Sequence, residues 1–197
     1  MTIEILTALV AFAFVTSITP GPNNMMLLAS GANFGFVRTI PHMLGIGIGF
    51  TIMVMLVGAG LMQLFDAWPP SYLILKVLSA AYMLWLAWKI AHSASPEGMS
   101  AGAKPMTFTQ AALFQWVNPK AWTMALSAIT LYAPGRELLS VLLVAIVFGG
   151  INLPTVSTWT ILGQKLRVIL SNPRRLTVFN WTMAALLVIS LIPSLTA

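Results

Sequence analysis

The chain has 197 residues, of which 58% are hydrophobic and only 7% are charged, with a net charge of +6. Soluble domains carry roughly a quarter charged residues, so this composition excludes an ordinary soluble domain and indicates an integral membrane protein. The absence of cysteine excludes disulfides and thiolate metal sites, and the scattered basic residues, without interleaved aromatics, argue against a nucleic-acid partner.

Six apolar stretches reach the length of about 20 residues that a membrane-spanning helix needs. In chain order they lie within Ile5–Val37, Met43–Phe65, Ser71–Ala91, Met106–Ala133, Leu138–Leu162 and Leu176–Leu195. None alternates with a two-residue period, which favours helices over barrel strands. The predicted fold class is therefore all-α integral membrane. We expect Met1–Ile18, which has no basic n-region, to belong to the first span and not to a signal peptide.

The first stretch is interrupted near its middle. Ile5–Val37 holds 33 residues without a charge, about 50 Å as one straight helix against a hydrocarbon core of about 30 Å. Its centre reads T-P-G-P-N-N at Thr19–Asn24. Since proline has no N–H, the carbonyls of Thr16 and Ile18 lose their helical donors and are expected to be open to a ligand. The pattern predicts a helix broken near the membrane midplane.

The third stretch carries Lys76 about a turn and a half inside its start, where outward snorkelling and a functional role are both open. We expect His42 and His92, near the cytoplasmic ends of their spans, to be surface residues. Ser93–Pro105 has the composition of a flexible cytoplasmic linker. It divides a single transmembrane domain into residues 1–92 and 106–197, with three spans each. An odd number of spans reverses the second half, which predicts an inverted repeat.

The fourth stretch contains W-V-N-P-K at Trp116–Lys120, which resembles the first break and leaves the Gln115 carbonyl without its helical donor. Two broken helices that meet at the midplane are a known plan for transporter sites, and a helix start favours a carboxylate. A simple proline kink is the alternative for each motif. In the fifth stretch, Asn152 and Pro154 indicate either a kink or a further break.

Lys120 lies near the middle of the fourth span, too deep to snorkel easily. A functional cation and a structural pair with backbone carbonyls are both open. The four acidic residues all lie at span ends or in connections, namely Glu4, Asp66, Glu97 and Glu137. Because neither lysine has an evident acidic partner in the membrane, a substrate carboxylate is a candidate counter-charge.

The predicted substrate-binding residues are those of the two breaks and their polar neighbours. They are Thr19, Pro20, Gly21, Pro22, Asn23, Asn24, Lys76, Gln115, Asn118, Pro119, Lys120 and Asn152. Gln115 either lines the cavity or bridges helices. No spacing indicates a metal site, a nucleotide loop or a catalytic triad, so neither an enzyme nor a cofactor is expected.

Orientation follows from the basic residues, since cytoplasmic connections are enriched in lysine and arginine. Seven lie in the odd-numbered connections: Arg38, Lys89, Lys104, Lys165, Arg167, Arg174 and Arg175. Arg136 is the one basic residue of the even-numbered connections and termini. This bias predicts that both termini lie outside the cytoplasm.

Three motifs in order make the chain resemble the LysE/RhtB family of amino-acid exporters. They are T-P-G-P-N-N with the later G-F-V-R at Gly35–Arg38, the aromatic-rich stretch Tyr72–Lys89, and F-Q-W-V-N-P-K-A-W at Phe114–Trp122. The resemblance implies a six-helix bacterial inner-membrane secondary exporter, thought to be driven by the proton motive force. Many members carry an aspartate where this chain has Phe50, after G-I-G-I-G. The G-F variant resembles the branch that exports cysteine and O-acetylserine.

The predicted function is export of small neutral amino acids or derivatives, such as serine, threonine, homoserine or cysteine-like compounds. A substrate with a cationic side chain would leave its charge unpaired beside Lys120. Export of basic amino acids and a non-transporting membrane scaffold or assembly factor are the alternatives. The expected partners are an amino-acid substrate and membrane lipid, and a homodimer is left open.

Overall fold

A computed structural model describes residues 2–93 and 104–192, and all regular secondary structure in these residues is helical. The α-helices are α1 (Ile3–Ile18), α2 (Pro22–Phe34), α3 (Phe36–Gly58), α4 (Leu61–Ala67), α5 (Pro70–Ala91), α6 (Phe108–Phe114), α7 (Pro119–Tyr132), α8 (Leu138–Ile169) and α9 (Pro173–Ile189). A 3₁₀ turn, Gln115–Val117, joins α6 to α7. Most of the predicted linker and the end of the sixth predicted span, Leu195, lie outside the described residues.

Three helices are long and apolar enough to cross a membrane: α3, α5 and α8. The pair α1 and α2, bent by 55° at the break between them, forms a fourth candidate span if it is counted as one. The described part of α9 has 17 residues, and the fourth predicted span is divided between α6, the 3₁₀ turn and α7. The chain thus has several membrane-spanning helices, while the number six stays a prediction.

The long helices α3 and α8 pack along each other at the centre. The broken helix α1–α2 packs on α8, the broken segment α6–α7 packs on α3, and α5 packs on α9. Each broken helix therefore lies against the long helix of the other half.

Close packing of the helices depends on glycine. A Cβ atom on Gly31 of α2 would collide with the carbonyl oxygen of Thr160 in α8, and one on Gly163 of α8 would collide with that of Leu28 in α2. Gly45 and Gly49 of α3 face the backbone of α6 in the same way. Small residues let membrane helices approach this closely, so backbone meets backbone at both contacts.

The helix bounds depart from the predicted spans at identifiable residues. α3 begins at Phe36, earlier than predicted, because Gly35 at φ +81° ends α2 and turns the chain. His42 consequently lies inside α3 with 2% of its surface exposed, so the prediction that it is a surface residue was wrong. α8 continues through Pro154 for 32 residues, so no further break occurs there.

Candidate functional site

The first break is closed by hydrogen bonds from its own neighbourhood. The Thr16 carbonyl accepts from Thr19 Oγ1 at 3.0 Å, and the Ile18 carbonyl accepts from Trp159 Nε1 of α8 at 3.1 Å. At the second break the Gln115 carbonyl accepts from the Asn118 N–H at 3.3 Å. The carbonyls that lose helical donors are therefore already bonded, and the expectation that they stay open to a ligand was wrong.

Asn24 fixes the path of the chain through the first break. Its buried side-chain amide donates to the carbonyls of Ser17 and Thr19, each at 2.8 Å. The next helix starts at Pro22, whose fixed φ suits a first helical position. No side chain caps this start in the described chain, since Gly21 is the capping residue. The unpaired N–H groups at the start of α2 consequently retain their capacity to favour negative charge.

The second break differs because its helix start is capped. α7 begins at Pro119, and the Asn118 side chain accepts from the Lys120 N–H at 3.1 Å. The Asn118 carbonyl also accepts from the N–H groups of Ala121 and Trp122. The two proline motifs are alike in sequence, but the start of α2 is the more open of the two helix termini.

Side chains connect the two breaks directly. Asn23 and Gln115 exchange a pair of hydrogen bonds, with the Asn23 amide donating at 2.9 Å and the Gln115 amide donating at 3.2 Å. The Lys120 ammonium donates to the Thr19 carbonyl at 2.7 Å, the Thr19 hydroxyl at 2.8 Å and the Pro20 carbonyl at 3.3 Å. Gln115 thus bridges helices, and Lys120 is bonded to the backbone of the opposite break.

The position of the Lys120 side chain depends on Gly21. A Cβ atom there would lie 2.6 Å from Lys120 Cδ, so a larger residue would displace the lysine. An ammonium has three N–H donors, and all three here meet uncharged oxygens. The positive charge is held in place without being neutralised by any of these partners.

A small cavity separates the two breaks, with a volume of about 20 Å³, which is room for about one water molecule. Two residues that line it, Ser17 and Asn152, each carry a buried side-chain oxygen, Oγ and Oδ1, that has no hydrogen-bond partner among the described residues. Phe50, 2% exposed, contributes an apolar wall. No acidic side chain is among the described residues that line the cavity.

Most of the predicted site residues meet around this cavity. Gly21, Asn23, Asn24, Asn118, Lys120 and Asn152 line it. Thr19 and Pro20 hold the lysine, Pro22 and Pro119 begin the flanking helices, and Gln115 pairs with Asn23. Lys76 is half-buried on α5 and does not line the cavity. Ser17 was not predicted, although a polar residue in the last turn before a break was the signal for it.

A bundle of apolar helices with two proline-containing interruptions beside a polar cavity is an arrangement found in membrane transport proteins. The chain belongs to the family of LysE type translocators, whose family model matches residues 14–191. As a translocator it moves a solute and is not an enzyme. Family membership and the apolar helices identify a multi-pass protein of a bacterial inner membrane.

The chain is similar to bacterial proteins named cysteine/O-acetylserine efflux protein. It is 30% identical to the one from Klebsiella pneumoniae over 191 residues, which cover 95% of each chain. It is 34% identical to the one from Escherichia coli K12 over 142 residues, or 71% of this chain and 72% of the relative. No solved structure matches the chain.

Proposed function

We propose that this protein exports small neutral amino acids or their derivatives, of the cysteine and O-acetylserine type, through the cavity between the two breaks. The observation that carries this proposal is the Lys120 ammonium, held by three uncharged oxygens beside a cavity whose described lining contains no acid. The names of the relatives agree with it.

The polar groups around the cavity complement a zwitterion. A substrate carboxylate would meet the Lys120 ammonium and the uncapped start of α2, both of which favour negative charge. The substrate ammonium would donate to Ser17 Oγ and Asn152 Oδ1, the two buried acceptors without partners. An unpaired buried polar atom is costly, so hydrogen bonds from the substrate ammonium would stabilise these two acceptors.

The same geometry disfavours a basic substrate. A lysine or arginine side chain would bring a second cation beside Lys120, with Phe50 in place of an acid on the cavity wall. An unpaired buried charge costs several kcal/mol, which corresponds to orders of magnitude in affinity. Neutral side chains avoid this cost.

We further propose the six-span inverted repeat with both breaks at the midplane and both termini outside. The packing of each broken helix on the long helix of the other half supports this proposal. The cavity is smaller than an amino acid, so the halves must move apart to admit one. Coupling of this motion to the proton motive force is the part of the proposal that the family resemblance supplies, and the homodimer stays an untested prediction.

Uptake into inverted membrane vesicles tests the proposal. Radiolabelled serine, threonine, homoserine, cysteine and O-acetylserine would be compared with lysine and arginine, with and without an uncoupler. We expect uptake of one or more neutral compounds, abolished by the uncoupler, and none of the basic ones. Uptake of basic amino acids alone would overturn the proposed site, and no uptake of any compound would favour the non-transporting scaffold.

A further inference from the structure

A second cavity, of about 70 Å³, lies between α2, α3 and α5, beside the point where the described chain resumes at Lys104. It shares no lining residue with the central cavity. The basic residues around it belong to connections that the lysine and arginine distribution predicts to be cytoplasmic. It therefore lies on the side from which an exporter takes its substrate.

Two buried side chains present unpartnered atoms among the residues that line this cavity. His42 of α3 is 2% exposed, and neither ring nitrogen has a hydrogen-bond partner in the described part of the chain. Asn33 of α2 is 3% exposed, and its Oδ1 is equally without a partner there. Buried polar atoms in folded proteins are nearly always bonded, so three such atoms at one cavity require an explanation.

The orientation of Asn33 is fixed by its own donors. Its side-chain amide donates to the Ala29 carbonyl at 2.8 Å and to Asn180 Oδ1 at 3.1 Å. Asn180 in turn donates to the Ser93 carbonyl at 3.0 Å. These bonds, to α2, to α9 and through Asn180 to the end of α5, fix the orientation of the Asn33 side chain. Its unpartnered oxygen is therefore available as a hydrogen-bond acceptor.

The charged residues that line this cavity, among those described, are all positive. Lys89 and Lys104 line it and are both exposed, so they lie at its mouth, and no acidic residue is among its described lining. A buried cation beside these two exposed ones would be costly, so the imidazole of His42 is best neutral, with one donor and one acceptor nitrogen.

We propose that this cavity is a second binding site for the zwitterionic amino acid, which receives it before it reaches the central cavity. The carboxylate meets Lys89, Lys104 and the N–H of His42, and the ammonium donates to Asn33 Oδ1. The inference rests on the proposed function, because it assumes the same substrate.

Binding stoichiometry tests the inference. Purified full-length protein in detergent would be titrated with radiolabelled L-serine and, separately, O-acetyl-L-serine. We expect two bound molecules per chain in the wild type, and one each in His42→Leu and Lys120→Met. The double variant should bind none. His42→Gln keeps a donor and an acceptor, so it should retain the second molecule, bound about tenfold more weakly. His92→Leu, which changes the chain's other histidine, should still bind two.

Stability separates a binding role from a structural one. Leucine removes two unpartnered nitrogens from a buried position, so the melting temperature of His42→Leu should equal or exceed that of the wild type. One molecule in the wild type and none in Lys120→Met would overturn the inference and leave the proposed function standing. One molecule in the wild type, lost in His42→Leu and kept in Lys120→Met, would support this cavity and overturn the central site. No binding to the wild type would overturn both.

Discussion

Lys120 connects the two breaks and carries the charge of the central cavity. Its side chain crosses Gly21, and its ammonium reaches the backbone of Thr19 and Pro20. These bonds satisfy the donors of the ammonium but supply no negative charge. A lysine held in this way is both a link between the two halves and a cation available to an anionic group, so its two roles need an experiment that separates them.

Lys120→Met should reduce transport at subsaturating substrate by a factor of about 10 to 100, the loss expected for a hydrogen bond to a charged group. Methionine matches the length of the side chain, and the acceptors that it leaves on Thr19 and Pro20 are uncharged, so no unpaired charge remains. The melting temperature should therefore change little. Transport of the best neutral substrate into inverted vesicles, with the melting temperature in detergent, measures both quantities.

Lys76→Met is the matched control, because Lys76 does not line the central cavity, and its transport should stay near that of the wild type. Normal transport by Lys120→Met would contradict the role of the ammonium in binding. A fall in transport that is accompanied by a clearly lower melting temperature would show that Lys120 acts as a structural link between the breaks.

At the scale of the helices, the contact between α2 and α8 depends on a reciprocal pair of glycines. Gly31 faces the backbone of Thr160, and Gly163 faces the backbone of Leu28. Neither neighbour is a flexible side chain that can turn away. The two helices can therefore accommodate an added methyl group only by separating.

Gly31→Ala and Gly163→Ala should each lower the free energy of unfolding by about 1–2 kcal/mol, since overpacking costs more than the helix propensity that alanine gains. Gly150→Ala in α8 is the matched control, because no atom lies within 4 Å of its added Cβ, and it should be neutral or slightly stabilising. Thermal unfolding in detergent ranks the three variants. Equal melting temperatures for Gly31→Ala and Gly150→Ala would contradict this account of the contact.

The sequence predicted the motifs of the central site better than the partners of its atoms. Prolines and asparagines near the middle of apolar stretches identify the break regions, because few other roles suit them there. The partners depend on tertiary contacts, and Trp159, which bonds the Ile18 carbonyl from α8, lies 141 residues away in the chain. The burial of His42 was missed because the start of α3 depends on Gly35, whose φ of +81° cannot be read from the chain.

At the scale of the whole molecule, the two halves are joined at both breaks. Lys120 bonds to Thr19, Asn23 to Gln115, and Trp159 to Ile18, so each contact pairs a residue of 1–92 with one of 106–197. Opening the central cavity to an amino acid would loosen some of these contacts. In the proposed transport cycle, bonds between the halves would then be exchanged for bonds to the substrate, so substrate binding would favour the open arrangement.

The last prediction concerns how many times the chain crosses the membrane. The six-span arrangement puts both Ala197 and the connection at Gly135 outside the cytoplasm, with Ser171 inside. An arrangement that counts only α1–α2, α3, α5 and α8 as spans also puts Ala197 outside, but places Gly135 in the cytoplasm and Ser171 outside. A reporter fused after Ala197 should therefore be active only in its periplasmic form under both arrangements, and it tests the orientation alone.

Single cysteines separate the two arrangements, because the chain has none of its own. Gly135→Cys and Ser171→Cys would each be labelled in intact cells with a membrane-impermeant maleimide, and both positions are exposed. We expect labelling of Gly135→Cys from outside and of Ser171→Cys only after permeabilisation. Gly102→Cys, in the predicted cytoplasmic linker, is the control that should also require permeabilisation. Labelling of Ser171→Cys but not of Gly135→Cys in intact cells would replace six spans by four and make α6–α7 a re-entrant segment. The basic residues around Ser171 would then lie outside, against the usual cytoplasmic enrichment of lysine and arginine, which is why we expect the six-span result.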